Sequence, residues 1–169
     1  MGLKDVELKL ISELIKNSRR SDRELAKAIG ISQPTVSRVR SRLEKEGLIE
    51  YTAVPNLAKL GFEIIAIILG TRNVEKHPQL ELPKAQDFIK RHPNTIFVAS
   101  GLGLGGDKLG ISIHKNYAEY SKFMQELKAE WADIVNVGTF LISLKGNDVI
   151  QHLSFKSFAD YLKKEEEPK

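Results

Sequence analysis

The stretch Phe62-Glu63-Ile64-Ile65-Ala66-Ile67-Ile68-Leu69-Gly70-Thr71 restricts the fold more than any other. Apart from Glu63 it is apolar on both faces, and it is far shorter than the ~20 residues a bilayer requires. Its branched side chains predict a strand, and a strand apolar on both faces has to be covered on both sides. Helices can cover one face of a sheet. A second sheet, most simply from another subunit, would cover the other. Self-association is therefore expected from this stretch alone. With 41% hydrophobic residues, no apolar run of membrane-spanning length and an N-terminus that is not secretory by pattern, a soluble cytoplasmic protein without a membrane partner is expected.

The residues around this strand predict its sheet. Leu82-Pro83 opens a helix with Ala85, Phe88 and Ile89 on one side, ending near His92-Pro93-Asn94. Thr95–Ser100 reads as a strand, and Lys108–Lys115 alternates with Leu109, Ile111 and Ile113 on one face. Asn116–Glu119 caps a helix that turns Tyr120, Phe123, Met124, Leu127 and Trp131 inward, and Ile134–Lys145 is a further strand. Residues 62–145 thus read as β-α-β-β-α-β, the ferredoxin-like arrangement. Residues 72–81 are expected as a loop and Gly146-Asn147-Asp148 as a turn. Phe155, Phe158, Ala159 and Leu162 suggest a short amphipathic helix, followed by a charged tail.

The N-terminal third follows a different period. Leu3, Val6, Leu10, Ile11, Leu14 and Ile15 share one helical face. Ser21-Asp22-Arg23-Glu24 is a capping box for a second helix with Leu25, Ala26, Ala28 and Ile29 inward. After Gly30-Ile31, Ser32 is a good N-cap, Pro34 fits a first turn and Gly47 suits a left-handed C-terminal position. Val36, Val39 and Leu43 form the buried stripe of this third helix. Two short helices joined by a glycine turn predict a helix-turn-helix. A tri-helical domain with no nucleic-acid role is the alternative. Leu48–Val54 alternates and predicts a strand or small wing, Pro55 stops it, and residues 55–61 read as a hinge.

Opposite the buried stripe, the third helix carries hydroxyls and cations. Arg38 is the candidate for base contact, since a guanidinium can donate two parallel hydrogen bonds to guanine O6 and N7. Ser37 and Ser41 can reach phosphates or base edges, and Gln33 can pair with adenine. Arg40, Arg42 and Lys45 are expected to position the duplex through phosphates, with intrahelical pairing to Glu44 or Glu46 as the alternative for Arg40 and Arg42. Ser32, Pro34 and Thr35 complete the candidate contact set. Residues 1–50 carry 11 Lys/Arg against 8 Asp/Glu, while the remainder is nearly balanced at 15 against 14. The excess sits where a nucleic-acid footprint would lie. The chain lacks cysteine, and His77, His92, His114 and His152 lack metal-ligand spacing, so no metal or cofactor is expected. Gly101, Gly103 and Gly106 satisfy GxGxxG. A strand rather than a helix follows them, which argues against a dinucleotide site and for a hairpin tip or a close approach to a ligand or subunit.

The segments Asp22–Ser32 and Val39–Ile49, the Tyr51-Thr52-Ala53 wing and the Leu60-Gly61-Phe62 connection together resemble the Lrp/AsnC transcription regulators. The resemblance reaches about residue 150. It implies an α+β protein with a winged helix-turn-helix domain at 1–54, a hinge at 55–61 and a ferredoxin-like domain at 62–150. Residues 151–169 are a C-terminal helix and tail beyond it. It implies a regulator that binds double-stranded DNA as a homodimer, tetramer or octamer, with no enzymatic activity and with an amino acid or other small effector between subunits. Ser100, Gly101, Gly103, Gly106 and Asp107 fall near that effector site, although Ser100–Asp107 lacks the aromatics usual in the family's hairpin. Two alternatives share the fold: a siroheme-decarboxylase-like enzyme, for which His92 and His114 are the candidates, and an effector-binding module without DNA affinity.

Overall fold

The computed structural model describes residues 5–73, 75, 82–146 and 149–164. The elements in chain order are α1 (Asp5–Lys16), α2 (Asp22–Ile29), α3 (Gln33–Lys45), β1 (Ile64–Arg72), α4 (Leu82–Arg91), β2 (Thr95–Gly103), β3 (Gly106–His114), α5 (Tyr117–Trp131), β4 (Val135–Ser143) and α6 (Lys156–Lys164). They divide into two compact units, residues 1–54 with 152–169, and residues 55–151.

In the first unit, the second and third helices begin where their caps are written. Ser21 and Glu24 form the reciprocal capping box of α2, and those bonds hold the Glu24 carboxyl below its usual range. Gly30 ends α2 at φ 74, the left-handed value a side chain would resist. Ser32 caps α3 by accepting from the Thr35 N–H. Leu10, Leu14, Leu25, Ala26, Val36 and Leu43 form the core. Ala28, expected inward, is exposed, because the eight residues of α2 turn Leu25, Ala26 and Ile29 to that core and leave position 28 outside it. Leu3 lies outside the described residues.

Two features depart from the expected organisation. Residues 48–54 form no strand, and Leu48, Tyr51 and Val54 stay exposed. An alternating stretch becomes a strand only beside another edge, and no described residues pair with it. The C-terminal helix α6, assigned by its sequence to a segment of its own at 151–169, packs on α1. Ala159 is 0% exposed, its carbonyl accepts from the Ser12 hydroxyl at 2.8 Å, and Lys16 pairs with Asp160 at 2.8 Å.

The second unit is one antiparallel sheet of order β2-β3-β1-β4. Ala66 and Ile68 of β1 face the helices and join Phe88, Phe123, Met124 and Trp131 in the core. Ile65 and Ile67 point the other way. Register places Ile67 beside Ile111 and Phe140, and Ile65 beside Ile113 and Ile142. This second face is apolar, no element of the unit's described residues covers it, and Phe140 is 64% exposed. The strand expected to be buried on both sides is therefore buried within this unit on one side. Arg72, placed in a loop by its sequence, closes β1; residues 74 and 76–81 of that loop, Asn147 and Asp148 of the turn, and tail residues 165–169 lie outside the described residues.

His114 is 1% exposed, hydrogen-bonded through Nε2 to the Ser112 hydroxyl at 2.8 Å and through Nδ1 to Asn94 at 3.3 Å, beside Tyr120 and Phe123. Burial pushes its imidazole below the usual range, opposed weakly by Glu119. The folded state therefore favours the neutral ring. Its contribution to stability is complete above the unfolded imidazole value of ~6.5 and declines as pH falls below it. Thermal unfolding should show a melting temperature that drops from pH 7.5 to 5.5, with a shallower drop in His114→Gln; parallel slopes would place the effect elsewhere.

Candidate nucleic-acid interface

Helix α3 carries the interface candidates, and its inner face fixes which of them point outward. Val36 and Leu43 are buried and Val39 is half-buried, so Gln33, Pro34, Ser37, Arg38, Ser41 and Lys45 are exposed along the other side. Arg38 and Lys45 carry no ion pair among the described residues. Between them, Ser37 and Ser41 add small hydroxyls that let a nucleic-acid backbone approach the helix closely.

The other candidates are engaged within the protein. Ser32 and Thr35 hydroxyls bond to one another at 2.8 Å as part of the helix cap. Arg40, read as a phosphate contact, lies among Asp22 at 3.1 Å, Glu44 at 3.1 Å and the Tyr51 hydroxyl at 2.9 Å, with its guanidinium over the Tyr51 ring. Burial raises the Tyr51 phenol above its usual range, so it is neutral where it accepts from Arg40. Arg42, also read as a phosphate contact, bonds Glu7 of α1, with Glu46 at 4.0 Å. Both arginines are spaced to pair along α3, and both do so. Their longer-range carboxylates, Asp22 and Glu7, were not evident from α3 alone. The α2–α3 and α1–α3 ties brace the helix.

The hairpin residues form a second group. Ser100 pairs with Lys108 and Gly103 with Gly106 across β2 and β3; Gly101 lies in β2, and the tip is Leu104-Gly105 with φ of 51 and 72. That positive pair is the two-residue turn geometry that tight hairpins use. A strand follows Gly106, as the argument against a dinucleotide fingerprint required. Asp107 is occupied: its carboxylate accepts from the Arg72 backbone N–H and from Lys108, each at 2.9 Å, and Lys108 first among these partners holds it below the usual carboxylate range. It fastens the hairpin to the end of β1.

Residues 3–50 match the family described as winged helix-turn-helix DNA-binding. An uncharacterized HTH-type transcriptional regulator of Pyrococcus furiosus, PF2053, is 31% identical over 99 residues, 58% of this chain and 64% of that protein. The match therefore spans less than two thirds of that relative's length. The leucine-responsive regulatory protein of Rhizobium meliloti is 34% identical over 147 residues, 86% of this chain and 92% of that one. The chain belongs to the Lrp/AsnC family. The transcriptional regulator NMB0573 of Neisseria meningitidis, solved as an L-Met complex, superposes with a TM-score of 0.73 at 17% identity, covering 93% of this chain and 99% of that one. At that identity the likeness bears on fold, and it is the Lrp/AsnC fold: a helix-turn-helix unit and a four-stranded antiparallel sheet with helices on one face. The described helices include none long and apolar enough to cross a membrane.

Proposed function

We propose that this Lrp/AsnC chain is a sequence-specific DNA-binding transcription regulator that works in the cytoplasm as a homodimer or a larger assembly of dimers. The single observation that supports it best is the outer face of α3: Ser37, Arg38 and Ser41 exposed on a helix capped at its start and braced from behind by the Arg40 and Arg42 ion pairs. In this reading Arg38 reads a base edge, and Gln33, Ser37, Ser41 and Lys45 fix position on bases and phosphates. Arg40 and Arg42 brace the helix, and Ser32 and Thr35 cap it. The enzyme alternative is disfavoured because His92 is held by the Phe88 carbonyl and Glu126, and His114 is buried with Ser112.

The open sheet face supports the dimer. A small effector such as an amino acid, in line with the L-Met complex of NMB0573, would dock at the Ser100, Gly101, Gly103 and Gly106 hairpin, where glycines let a ligand approach backbone closely. Selection of bound sequences from random duplexes, with and without pooled amino acids, tests this reading. A two-fold symmetric site supports it, and no enrichment over random DNA rejects it. In the selected site, Arg38→Ala is expected to cost ~1–3 kcal/mol and to relax preference at one base pair. A uniform loss across sequences would make Arg38 a phosphate contact.

A further inference from the structure

The chain passes between its two units twice, after Val54 and before His152. The second passage exists because α6 is docked on α1, where Ala159 is fully buried, its carbonyl accepts from Ser12 and Asp160 pairs with Lys16. Phe155, Phe158 and Tyr161 stay exposed, so the docked face of α6 is centred on one alanine. A helix of 9 residues has little stability alone, and this contact is what holds α6 in place. The two passages are paired at both ends. On the sheet unit they leave from Ile64 and Ser143, which are register partners in β1 and β4. On the helical unit they arrive at Val54 and at Ser154-Phe155, which line one cleft with Ile15 of α1. A single connecting segment lets the unit it carries turn about soft backbone dihedrals. Two segments fixed at both ends must cross when that unit turns through half a revolution, and crossing shortens their reach. Residues 144–155, the second segment, span roughly 40 Å at most when fully extended.

We infer that docked α6 is a positioning element that sets which spacing of DNA half-sites the protein accepts, with Ala159 as the residue on which it depends. This role presupposes DNA binding by a dimer, as proposed above. Such a dimer is a bivalent binder, and its second contact forms at an effective concentration set by the length and stiffness of the connection. A doubly connected helical unit favours half-sites on one side of the duplex, about one helical turn or ~34 Å apart. Half-sites displaced by half a turn require one α3 to swing to the opposite side of the duplex. That is the rotation which the paired segments resist.

The test measures binding of the full chain to its site selected from random duplexes, and to the same site with half a turn, ~5 base pairs, added between the half-sites. The parent is compared with two variants. Ala159→Glu sets a carboxylate where no water reaches and undocks α6. The other variant carries a flexible Gly/Ser segment, as long as residues 144–155, inserted between Gln151 and His152. The insert leaves α6 and its docking face unaltered, so a helix that only stabilised α1 would not register it. The parent is expected to bind the displaced site ~100-fold more weakly than the selected one, and both variants to lose no more than ~tenfold. The insert variant should melt at the parent's temperature. If Ala159→Glu fails to fold, the insert variant decides alone. A parent that tolerates the displaced site, or an insert variant as strict as the parent, would overturn the role of α6 and leave the DNA-binding reading standing. A parent that selects no site would overturn that reading, and this role with it.

Discussion

Ile67→Asp is expected to turn the proposed dimer into a folded monomer. Ile67 sits at the centre of the open sheet face, with Ile111 and Phe140 beside it in register and Ile65 and Leu69 two residues to either side. Covering each such side chain with a second sheet contributes ~1.5–3 kcal/mol. Two-fold symmetry applies the substitution to both copies and brings two carboxylates into one desolvated layer. A loss of ~5 kcal/mol in association corresponds to a dissociation constant raised by roughly three to four orders of magnitude. Within one protomer residue 67 is only half-buried, and the core on the opposite face is untouched. Sedimentation velocity should therefore show a compact monomer with a near-normal circular dichroism spectrum. An intact dimer in that experiment would remove this face as the interface.

Arg42→Ala should destabilise the N-terminal unit by ~2–3 kcal/mol, below the ~3–5 expected for a wholly buried pair because half of the arginine reaches solvent. The side chains are 43% exposed for Arg42 and 8% for Glu7, so the carboxylate is the partner left in an unfavourable setting. Replacing both, Glu7→Leu with Arg42→Leu, should recover most of the loss, as removing a buried pair together often does. Thermal unfolding of the two single variants and the double variant gives the comparison. DNA binding gives the complementary readout. If Arg42 braced α3 without touching phosphate, the salt dependence of binding would stay as steep as in the parent protein. A slope reduced by about one unit would return Arg42 to the backbone contacts.

The elements written locally were legible. Ser21, Ser32 and Asn116 each cap the helix their position implies, because a cap needs only the next three residues. The sheet was legible too, since one doubly apolar strand, one alternating strand and two further strands around two amphipathic helices admit few arrangements. What the sequence hid was set by distance along the chain or by a missing partner. Arg40 has acids on its own helix and on α2, and nothing local says that both are used. The Leu48–Val54 alternation has no edge to pair with among the described residues. Ser12 interrupts an apolar helix for a reason that lies 147 residues away, at the Ala159 carbonyl. In retrospect the small side chain of Ala159 on an aromatic helix was the available signal, since close packing of two helices requires one.

That remote contact makes the DNA-reading unit depend on the order in which parts of the chain fold. In an unfolded chain, joining Ser12 to Ala159 closes a loop of 147 residues. Once the sheet forms, Ile64 and Ser143 lie side by side, and the free chain left to close, from 12 to 64 and from 143 to 159, is about half as long. Loop entropy then favours the docking of α6 by roughly 0.7 kcal/mol more than before. The sheet unit therefore acts as an entropic clasp for the helices at the other end of the sequence. Stability given to it, by a second copy or by a ligand, is passed on through shortened chain alone.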